Sequence, residues 1–246
     1  MKLVSRSALY RYYNEHSQLL FERPKFRTDQ PPPRHKVVTY RYGVGRGWAT
    51  GGDHDPVMFK EKHHLADNYI YRMPQVLQAK DEGTDIWWTE GESDADSLWN
   101  EFGIIATSHH GGAGKVSRTQ ASWLRGHRGR IILAYDLDQD TPHGGNVGAF
   151  DLILRYDLLR AVGVSERQIY VVHAREGKDI RDHIDKGWHP LKAVPVKDLT
   201  PLRAKSAIAL TQPGAWFRLG YAPGIQEVVD AIEANPEWKY LGDNNE

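Results

Sequence analysis

Six acidic residues in the middle of the chain stand where predicted strands end or where the helix after a strand begins. They are Glu90, Asp94, Asp136, Asp138, Asp179 and Asp182. In an open α/β sheet, ligands bind beyond the carboxyl ends of the strands. Alternate residues of an extended chain point to the same side, so Asp136 and Asp138 can share one cation. The pattern predicts a site built from carboxylates.

A cluster of carboxylates needs a cation, because the negative charges raise one another's pKa and oppose folding. Oxygen ligands suit Mg²⁺ or Mn²⁺, and two such ions can align an attacking hydroxyl with a leaving phosphate oxygen. We therefore expect two or more of these ions. Zinc is not expected, because the chain has no cysteine. The alternative, that each acid caps a helix or faces solvent, is less favoured because three acidic clusters follow three strands.

The elements that must position these acids alternate between strand and helix over residues 81–190. Strands are predicted at 85–89, 104–107, 129–135 and 168–172, and helices at 93–102, 119–124, 148–162 and 178–184. Short apolar runs indicate strands, and apolar residues at three- or four-residue spacing indicate helices. This order predicts an α/β fold with a parallel-rich sheet and helices on both faces.

The first 80 residues are predicted to form a small basic, mainly-β subdomain. They hold 14 Lys and Arg against 7 Asp and Glu, whereas residues 81–190 hold 12 against 18. Aromatic and β-branched runs indicate the strands, and Pro74 marks the start of a short helix over 73–79. Basic and aromatic side chains on neighbouring strands suit single-stranded nucleic acid; the alternative is a solvated sheet face. The candidate contacts are Lys25, Arg27, Arg34, Lys36, Arg41 and Arg46.

The C-terminal residues carry no functional motif. Residues 191–246 are predicted to be a helical or irregular extension with a helix at 225–234, and the sequence assigns them no role. Of the 246 residues, 40% are hydrophobic and 26% charged, which is ordinary for a globular protein. No apolar run approaches the length of a membrane span, and residues 1–10 lack the apolar core of a secretory signal. A cytoplasmic protein is expected.

Four segments resemble the Toprim family over about residues 85–190. Residues 86–98 are similar to its first motif, a strand that ends in Glu-Gly with Asp three residues after the Gly. Residues 131–138, Ile-Ile-Leu-Ala-Tyr-Asp-Leu-Asp, resemble its second motif, an apolar strand that ends in Asp-x-Asp. Residues 177–182 resemble the Lys-Asp-x-x-Asp segment of primase members, and residues 103–112 fit the intervening strand and Gly-Gly turn.

The upstream residues favour the primases within that family. Residues 69–77 look like the Tyr-Arg-Leu-Pro segment of phage primase-helicases, and the basic front resembles the subdomain that precedes Toprim there. The resemblance implies a DNA primase catalytic core in the cytoplasm of a bacterium or a phage-infected host. Such a core makes short RNA primers on single-stranded DNA from ribonucleoside triphosphates by metal-dependent nucleotidyl transfer.

Under this interpretation the acidic and basic side chains take particular roles. Catalysis is assigned to Glu90, Asp136 and Asp138, with Glu90 also a candidate general base. Metal binding is assigned to all six acids named above. Nucleotide or template binding is assigned to Lys25, Arg27, Arg41, Arg46, Arg72 and Lys178. Lys178 has an alternative role, which is to pair with a carboxylate.

The sequence also departs from the primase pattern. No cysteine zinc module is present, and residues 111–115 lack two residues of a Walker phosphate loop and are interpreted as a turn. A separate zinc-module protein or replicative helicase is therefore a possible partner. The alternatives are a Toprim nuclease, with water as the attacking group, and a non-catalytic DNA-binding replisome subunit. The pairs His63-His64 and His109-His110 are expected to be solvated or hydrogen-bonded, and at least one of Trp87 and Trp88 to lie in the core.

Overall fold

The computed structural model describes residues 3–29, 36–38, 41–42, 68–110 and 112–211. The chain divides into two compact units, and residues 66–213 belong to the larger one. This division places the start of the larger unit before residue 81, the predicted boundary, and includes residues 191–213 that were assigned to a separate extension. Within the described residues, no helix has the length and apolar character that a membrane crossing needs.

The smaller unit contains an antiparallel sheet at the N-terminus. Its strands are β1 (Leu3–Tyr13), β2 (Leu19–Thr28), β3 (Lys36–Val38) and β4 (Arg41–Tyr42). β2 is central: it pairs with β1 and β3, and also with β4. Tyr12 and Phe21 are fully buried and stack with ring centroids 4.4 Å apart. The predicted β-rich front of the chain is confirmed for the described residues.

The larger unit alternates strands and helices from residue 73 onward. The elements are α1 (Met73–Glu82), β5 (Ile86–Thr89), α2 (Glu92–Phe102), β6 (Ala106–Ser108), α3 (Arg118–Ser122), β7 (Ile131–Tyr135), α4 (Val147–Ala161), β8 (Ile169–His173), α5 (Ile180–Asp185), β9 (Val194–Pro195) and α6 (Thr200–Thr211). The strand order is β6-β5-β7-β8-β9. All neighbours are parallel except β9, which joins β8 antiparallel at the edge.

The two central strands are buried on both faces. Every side chain of β5 and of β7 is buried, which requires covering layers above and below the sheet, as parallel sheets have. Trp88 on β5 and Leu133 on β7 are paired across the two strands, and both are fully buried in the main apolar core. Burying a side chain of this kind contributes roughly 1.5–3 kcal/mol. The predicted parallel-rich α/β sheet is confirmed.

The predicted elements from α1 to α5 are all present, with ends shifted by at most three residues. Helix α6 was not individually predicted, because its sequence carries no strong apolar periodicity. It packs against α4, and the backbone N–H of Asn146 donates to the carbonyl of Lys205 on it at 3.3 Å. The helix predicted at 225–234 lies outside the described residues.

Candidate active site

Glu90 directly follows β5, and the next residue starts a helix. Gly91 is the N-cap of α2 in extended conformation, and a Cβ there would lie 3.3 Å from a carboxylate oxygen of Asp94. Asp94 is in the first turn of α2 and is buried. Negative charge is favourable at a helix N-terminus because of the helix dipole. The Glu-Gly turn therefore brings two acidic side chains to the carboxyl end of β5.

Asp136 and Asp138 directly follow the central strand β7, in a loop held from several sides. Gly148, at the start of α4, passes so close to the carbonyl of Asp136 that a Cβ would lie 2.1 Å from its oxygen. The side-chain amide of Asn146 donates to the carbonyl of Asp138 at 2.7 Å, while its own oxygen caps α4 by accepting from the N–H of Ala149 at 2.8 Å. The position of these acids depends on the start of α4.

Lys178, in the loop between β8 and α5, lies between the two aspartates. Its Nζ is 3.3 Å from Oδ2 of Asp136 and 2.9 Å from Oδ1 of Asp138. Burial opposes its charge, but the hydrogen bond to Asp138 and the charge of Asp136 outweigh it and raise the pKa of Lys178. Its backbone carbonyl also accepts from the N–H of Leu137 at 2.7 Å. The pairing with a carboxylate, given above as an alternative, is present in the structure.

The site carboxyls interact electrostatically. Burial, with the charges of Asp136, Asp151 and Asp138, raises the pKa of Glu90 to about 9 against the opposing effect of Arg155. Burial raises the pKa of Asp136 to about 6, even though Lys178 opposes the shift.

The pKa of Asp94 is also well above its ordinary value, because of burial and then the charges of Asp179 and Asp136. Glu90 is thus within electrostatic reach of Asp136 and Asp138, and Asp94 is within reach of Asp136 and Asp179.

The chemistry of this donor set fits a hard divalent cation. Oε2 of Glu90 and Oδ1 of Asp94 are buried and have no hydrogen-bond partner, a costly arrangement that a cation would relieve. The ammonium of Lys178 already places one positive charge between Asp136 and Asp138. As the side chains stand, no group of three or more His, Cys, Asp or Glu among the described residues is close enough to hold a metal ion.

Asp179 and Asp182 shape the loop that carries Lys178. Asp179 is the N-cap of α5, and its Oδ1 accepts from the N–H of Asp182 at 2.8 Å. Oδ2 of Asp182 accepts from the N–H of Lys178, also at 2.8 Å. Gly177 adopts a φ of 89° there, which favours glycine. Each of these acids uses one oxygen for the loop, and their role as metal ligands stays a prediction.

The residues predicted to bind nucleotide or template are spread over the chain. Lys25 and Arg27 lie on β2, the first half-buried and the second exposed. Arg41 lies on β4, where its side chain is outside the described residues, as is the whole of Arg46.

Arg72 is held in place by several contacts. It pairs with Asp96 at 2.6 Å, and its guanidinium lies 5.3 Å from the ring centroid of Trp99. Its backbone is left-handed, with a φ of 56°. Arg72 is therefore fixed at the start of α1, and its predicted contact with nucleotide is untested.

Three fully buried polar residues near Glu90 were missed as a group. They are His109, Asp151 and Arg155. The signal was present in part: Asp151 and Arg155 are four residues apart on α4, the spacing of a helical ion pair. A charged pair on an amphipathic helix is normally solvated, so nothing in the sequence alone marked this pair as buried. His109 is hydrogen-bonded, as expected for the histidine pairs.

Solved structures provide the comparison that sequence does not. No protein-family model matches the chain, and neither does any curated protein. The structure of the DnaG catalytic core matches with a TM-score of 0.52 at 14% identity, over 96% of this chain and 71% of that one. The fold is that of a primase catalytic core.

Two further structures with the primase-core fold match over most of this chain. One is the Aquifex aeolicus primase with zinc-binding and RNA polymerase domains, with a TM-score of 0.52 and 15% identity over 95% of this chain and 52% of that one. The other is the DnaG primase catalytic domain bound to single-stranded DNA, with a TM-score of 0.51 and 14% identity over 93% and 64%. The chain thus spans about half to two-thirds of these two relatives.

Proposed function

We propose that this chain is a DNA primase catalytic core, which synthesises short RNA primers on single-stranded DNA by metal-dependent nucleotidyl transfer. One observation carries the proposal. Within a primase-core fold, Glu90 is a buried carboxyl with an unpartnered oxygen, and its neighbours are the carboxyls that follow the adjacent parallel strand. Most buried polar atoms have a hydrogen-bond partner, and a bound cation would supply the partner that this oxygen lacks.

The carboxyls of Glu90, Asp94, Asp136 and Asp138 would hold the Mg²⁺ or Mn²⁺ ions, with Asp179 and Asp182 as further candidate ligands. Such ions, when bound, neutralise the triphosphate and make a ribose hydroxyl more acidic. No covalent nucleophile is needed, since phosphoryl transfer depends mainly on positioning and charge neutralisation.

Proton transfer and phosphate binding are assigned to residues of this chain. Cation binding would hold the carboxyl of Glu90 deprotonated, and Glu90 is then the candidate general base for the proton of the attacking 3′-hydroxyl. Lys178, on its loop after β8, would bind the phosphates of the incoming nucleotide. Its ammonium is half-exposed, with side-chain exposure of 51%, so an anion from solvent can reach it.

Template binding is proposed for the antiparallel sheet of the smaller unit. Lys25 and Arg27 on β2 are candidate phosphate contacts, with Arg41 on β4, Arg46 and Arg72 as further candidates. One of the similar solved structures is a DnaG catalytic domain with bound single-stranded DNA. We infer the same class of ligand for this chain, with ribonucleoside triphosphates as the substrate.

The direct test is primer synthesis by the purified chain. Single-stranded DNA, Mg²⁺ or Mn²⁺ and labelled ribonucleoside triphosphates are incubated with the wild type and with Glu90→Gln and Asp138→Asn. We expect short labelled oligoribonucleotides from the wild type, and a loss of at least about 100-fold in both variants, since each removes a charge from the metal site.

The matched control is Asp157→Asn. Asp157 is a surface acid on α4 that pairs with Arg203 at 2.7 Å, and this variant should keep full activity. Shortened DNA in place of labelled RNA would indicate a nuclease. Replication in cells that is insensitive to Glu90→Gln would indicate a non-catalytic subunit. Either result would overturn the proposal.

A further inference from the structure

Arg155 is a fully buried arginine that bridges the two strands carrying the site carboxylates. It lies on α4 and donates through Nη1 to the carbonyl of Trp88 at 2.6 Å and through Nη2 to the carbonyl of Ala134 at 3.1 Å. Trp88 is two residues before Glu90, and Ala134 is two residues before Asp136. One planar guanidinium therefore binds both strands, in each case two residues before the acid that follows the strand.

The bridge begins where the backbone pairing of the two strands ends. The last paired residues of β5 and β7 are Trp88 and Leu133. Beyond them the strands diverge into the Glu90 and Asp136 turns. Because a guanidinium presents its donors in a rigid fork, Arg155 fixes the spacing of the strand ends in a way that a flexible side chain would not.

A second buried group compensates the charge of Arg155. Oδ2 of Asp151 forms an ion pair with Nε of Arg155 at 2.7 Å without hydrogen-bond geometry, whereas its Oδ1 accepts from the N–H of Gly114 at 2.8 Å and lies 3.2 Å from Nε2 of His109. Burial alone would raise the pKa of Asp151, but Arg155 and His109 outweigh it and hold that pKa well below its ordinary range. The network also ties the loop after β6 to α4.

We propose that Arg155, held by Asp151 and His109, is a positioning residue that sets the separation of Glu90 and Asp136 so that both can ligate the same cation. The proposal rests on the metal-dependent function proposed above. It accounts for the position of a buried ion pair, which is a weak source of stability because desolvation offsets the attraction of the charges. Residues that orient metal ligands without touching the metal typically contribute about 10–100-fold to metal affinity.

The test compares metal binding in three proteins: wild type, Arg155→Lys and Leu159→Ala. Lysine keeps the positive charge but cannot fork to both carbonyls. Leu159, on the same helix, is fully buried and belongs to the main apolar core, so its variant is a control for destabilisation alone. The readouts are the Mn²⁺ dissociation constant, measured by electron paramagnetic resonance, and the melting temperature in EDTA.

We expect Arg155→Lys to weaken Mn²⁺ binding by about 10–100-fold. Leu159→Ala should lower the melting temperature while Mn²⁺ binding stays within about twofold of the wild type, because Leu159 packs in the apolar core and cannot hydrogen-bond to the two site strands. In primer synthesis, Arg155→Lys should raise the Mg²⁺ concentration for half-maximal rate more than it lowers the rate at saturating Mg²⁺. Equal Mn²⁺ affinity in Arg155→Lys and wild type would overturn the positioning role.

A second variant keeps the proposal testable where Arg155→Lys does not fold. Asp151→Asn preserves shape but removes the counter-charge of Arg155 and replaces one acceptor oxygen with an NH2 donor, and we expect a smaller but measurable loss of Mn²⁺ affinity. Affinity equal to that of the wild type would count against the network. A wild type that binds Mn²⁺ but makes no primers contradicts the proposed function alone, whereas unchanged affinity in both variants contradicts the positioning role alone.

Discussion

The ammonium of Lys178 lies 2.9 Å from Oδ1 of Asp138, at the carboxyl end of the central strand. A cation and a lysine cannot both occupy that space, so metal binding should displace the side chain toward solvent. The displaced ammonium would remain close enough to bind a phosphate of the incoming nucleotide. Under the proposed function, Lys178 would compete with the metal in the free protein and bind substrate in the metal-loaded one.

Lys178→Met should separate these two effects. Without the competing ammonium, Mn²⁺ should bind as tightly as in the wild type or more tightly. The KM for ribonucleoside triphosphates should rise by about 10-fold, since one charge-assisted hydrogen bond to phosphate is lost. Equilibrium Mn²⁺ titration and steady-state primer synthesis measure the two quantities.

A second lysine provides the control for Lys178→Met. Lys205 on α6 makes a similar ion pair with Asp140 at 2.6 Å, but its partner is exposed. Lys205→Met should leave both Mn²⁺ affinity and KM unchanged, because exposed ion pairs contribute little. Weaker Mn²⁺ binding in Lys178→Met would contradict the competition between lysine and metal.

The metal-free protein should lose stability as the pH rises from about 5 to 9. The pKa of Glu90 is about 9 in the folded chain, against an ordinary value of 4.5. The folded state therefore binds a proton in this interval that the unfolded state has released, and its stabilising effect is complete below the ordinary pKa and lost as the pH passes 9. The slope is at most about 1.4 kcal/mol per pH unit for this group.

Urea denaturation in EDTA at pH 6, 7.5 and 9 measures the slope. Glu90→Gln carries no titrating group at this position, so its free energy of unfolding should depend less on pH than that of the wild type. Saturating Mg²⁺ should reverse the trend, because cation binding favours the deprotonated carboxyls. Parallel pH profiles for wild type and Glu90→Gln in EDTA would show that the burial of this carboxyl has no such effect.

Gly148→Ala should damage the site despite the helical position of the residue. Alanine within a helix is normally more stable than glycine by about 1 kcal/mol. Here a Cβ would lie 2.1 Å from the carbonyl oxygen of Asp136, so the loop or the helix must move. We expect a lower melting temperature and a loss of primer synthesis of about 10-fold or more, since small displacements of a catalytic group are costly.

The measurement for Gly148→Ala is the melting temperature by circular dichroism together with the rate of primer synthesis at saturating Mg²⁺. The sign of the stability change is the test. A variant that is more stable than the wild type and equally active would mean that the close approach of α4 to Asp136 does not constrain the site.

The sequence predicted where the acids assigned to the site stand relative to the strands, because that position follows from local rules. Glu90 and Asp136 come directly after apolar runs that are too short for helices, and the carboxyl ends of neighbouring parallel strands meet at one edge of a sheet. The same rules predicted strands β5, β7 and β8. Local patterns were sufficient here because each element's apolar spacing agrees with its place in the fold.

Tertiary placement explains what the sequence could not predict. Nothing in the composition of α4 distinguishes Arg155, which is fully buried, from Arg160, which is exposed. The position of Lys178 between two aspartates depends on the loop geometry set by Gly177 and Asp182. These features arise from contacts between residues distant in the chain, on which periodicity carries no information.

Arg27→Gln should weaken binding to single-stranded DNA and reduce its dependence on salt. Arg27 is exposed on β2 of the antiparallel sheet, where the basic front of the chain is predicted to bind template. Each phosphate contact to a single strand contributes a slope of about 0.7 in the logarithm of affinity against the logarithm of salt concentration. Fluorescence anisotropy with a labelled oligonucleotide, at salt concentrations from about 50 to 200 mM, gives both affinity and slope. Arg203→Gln, which removes an exposed arginine paired with Asp157 in the larger unit, is the control and should bind DNA like the wild type. If Arg27→Gln and Arg203→Gln share the wild-type slope, the sheet face around Arg27 is a solvated surface and the template contacts lie elsewhere.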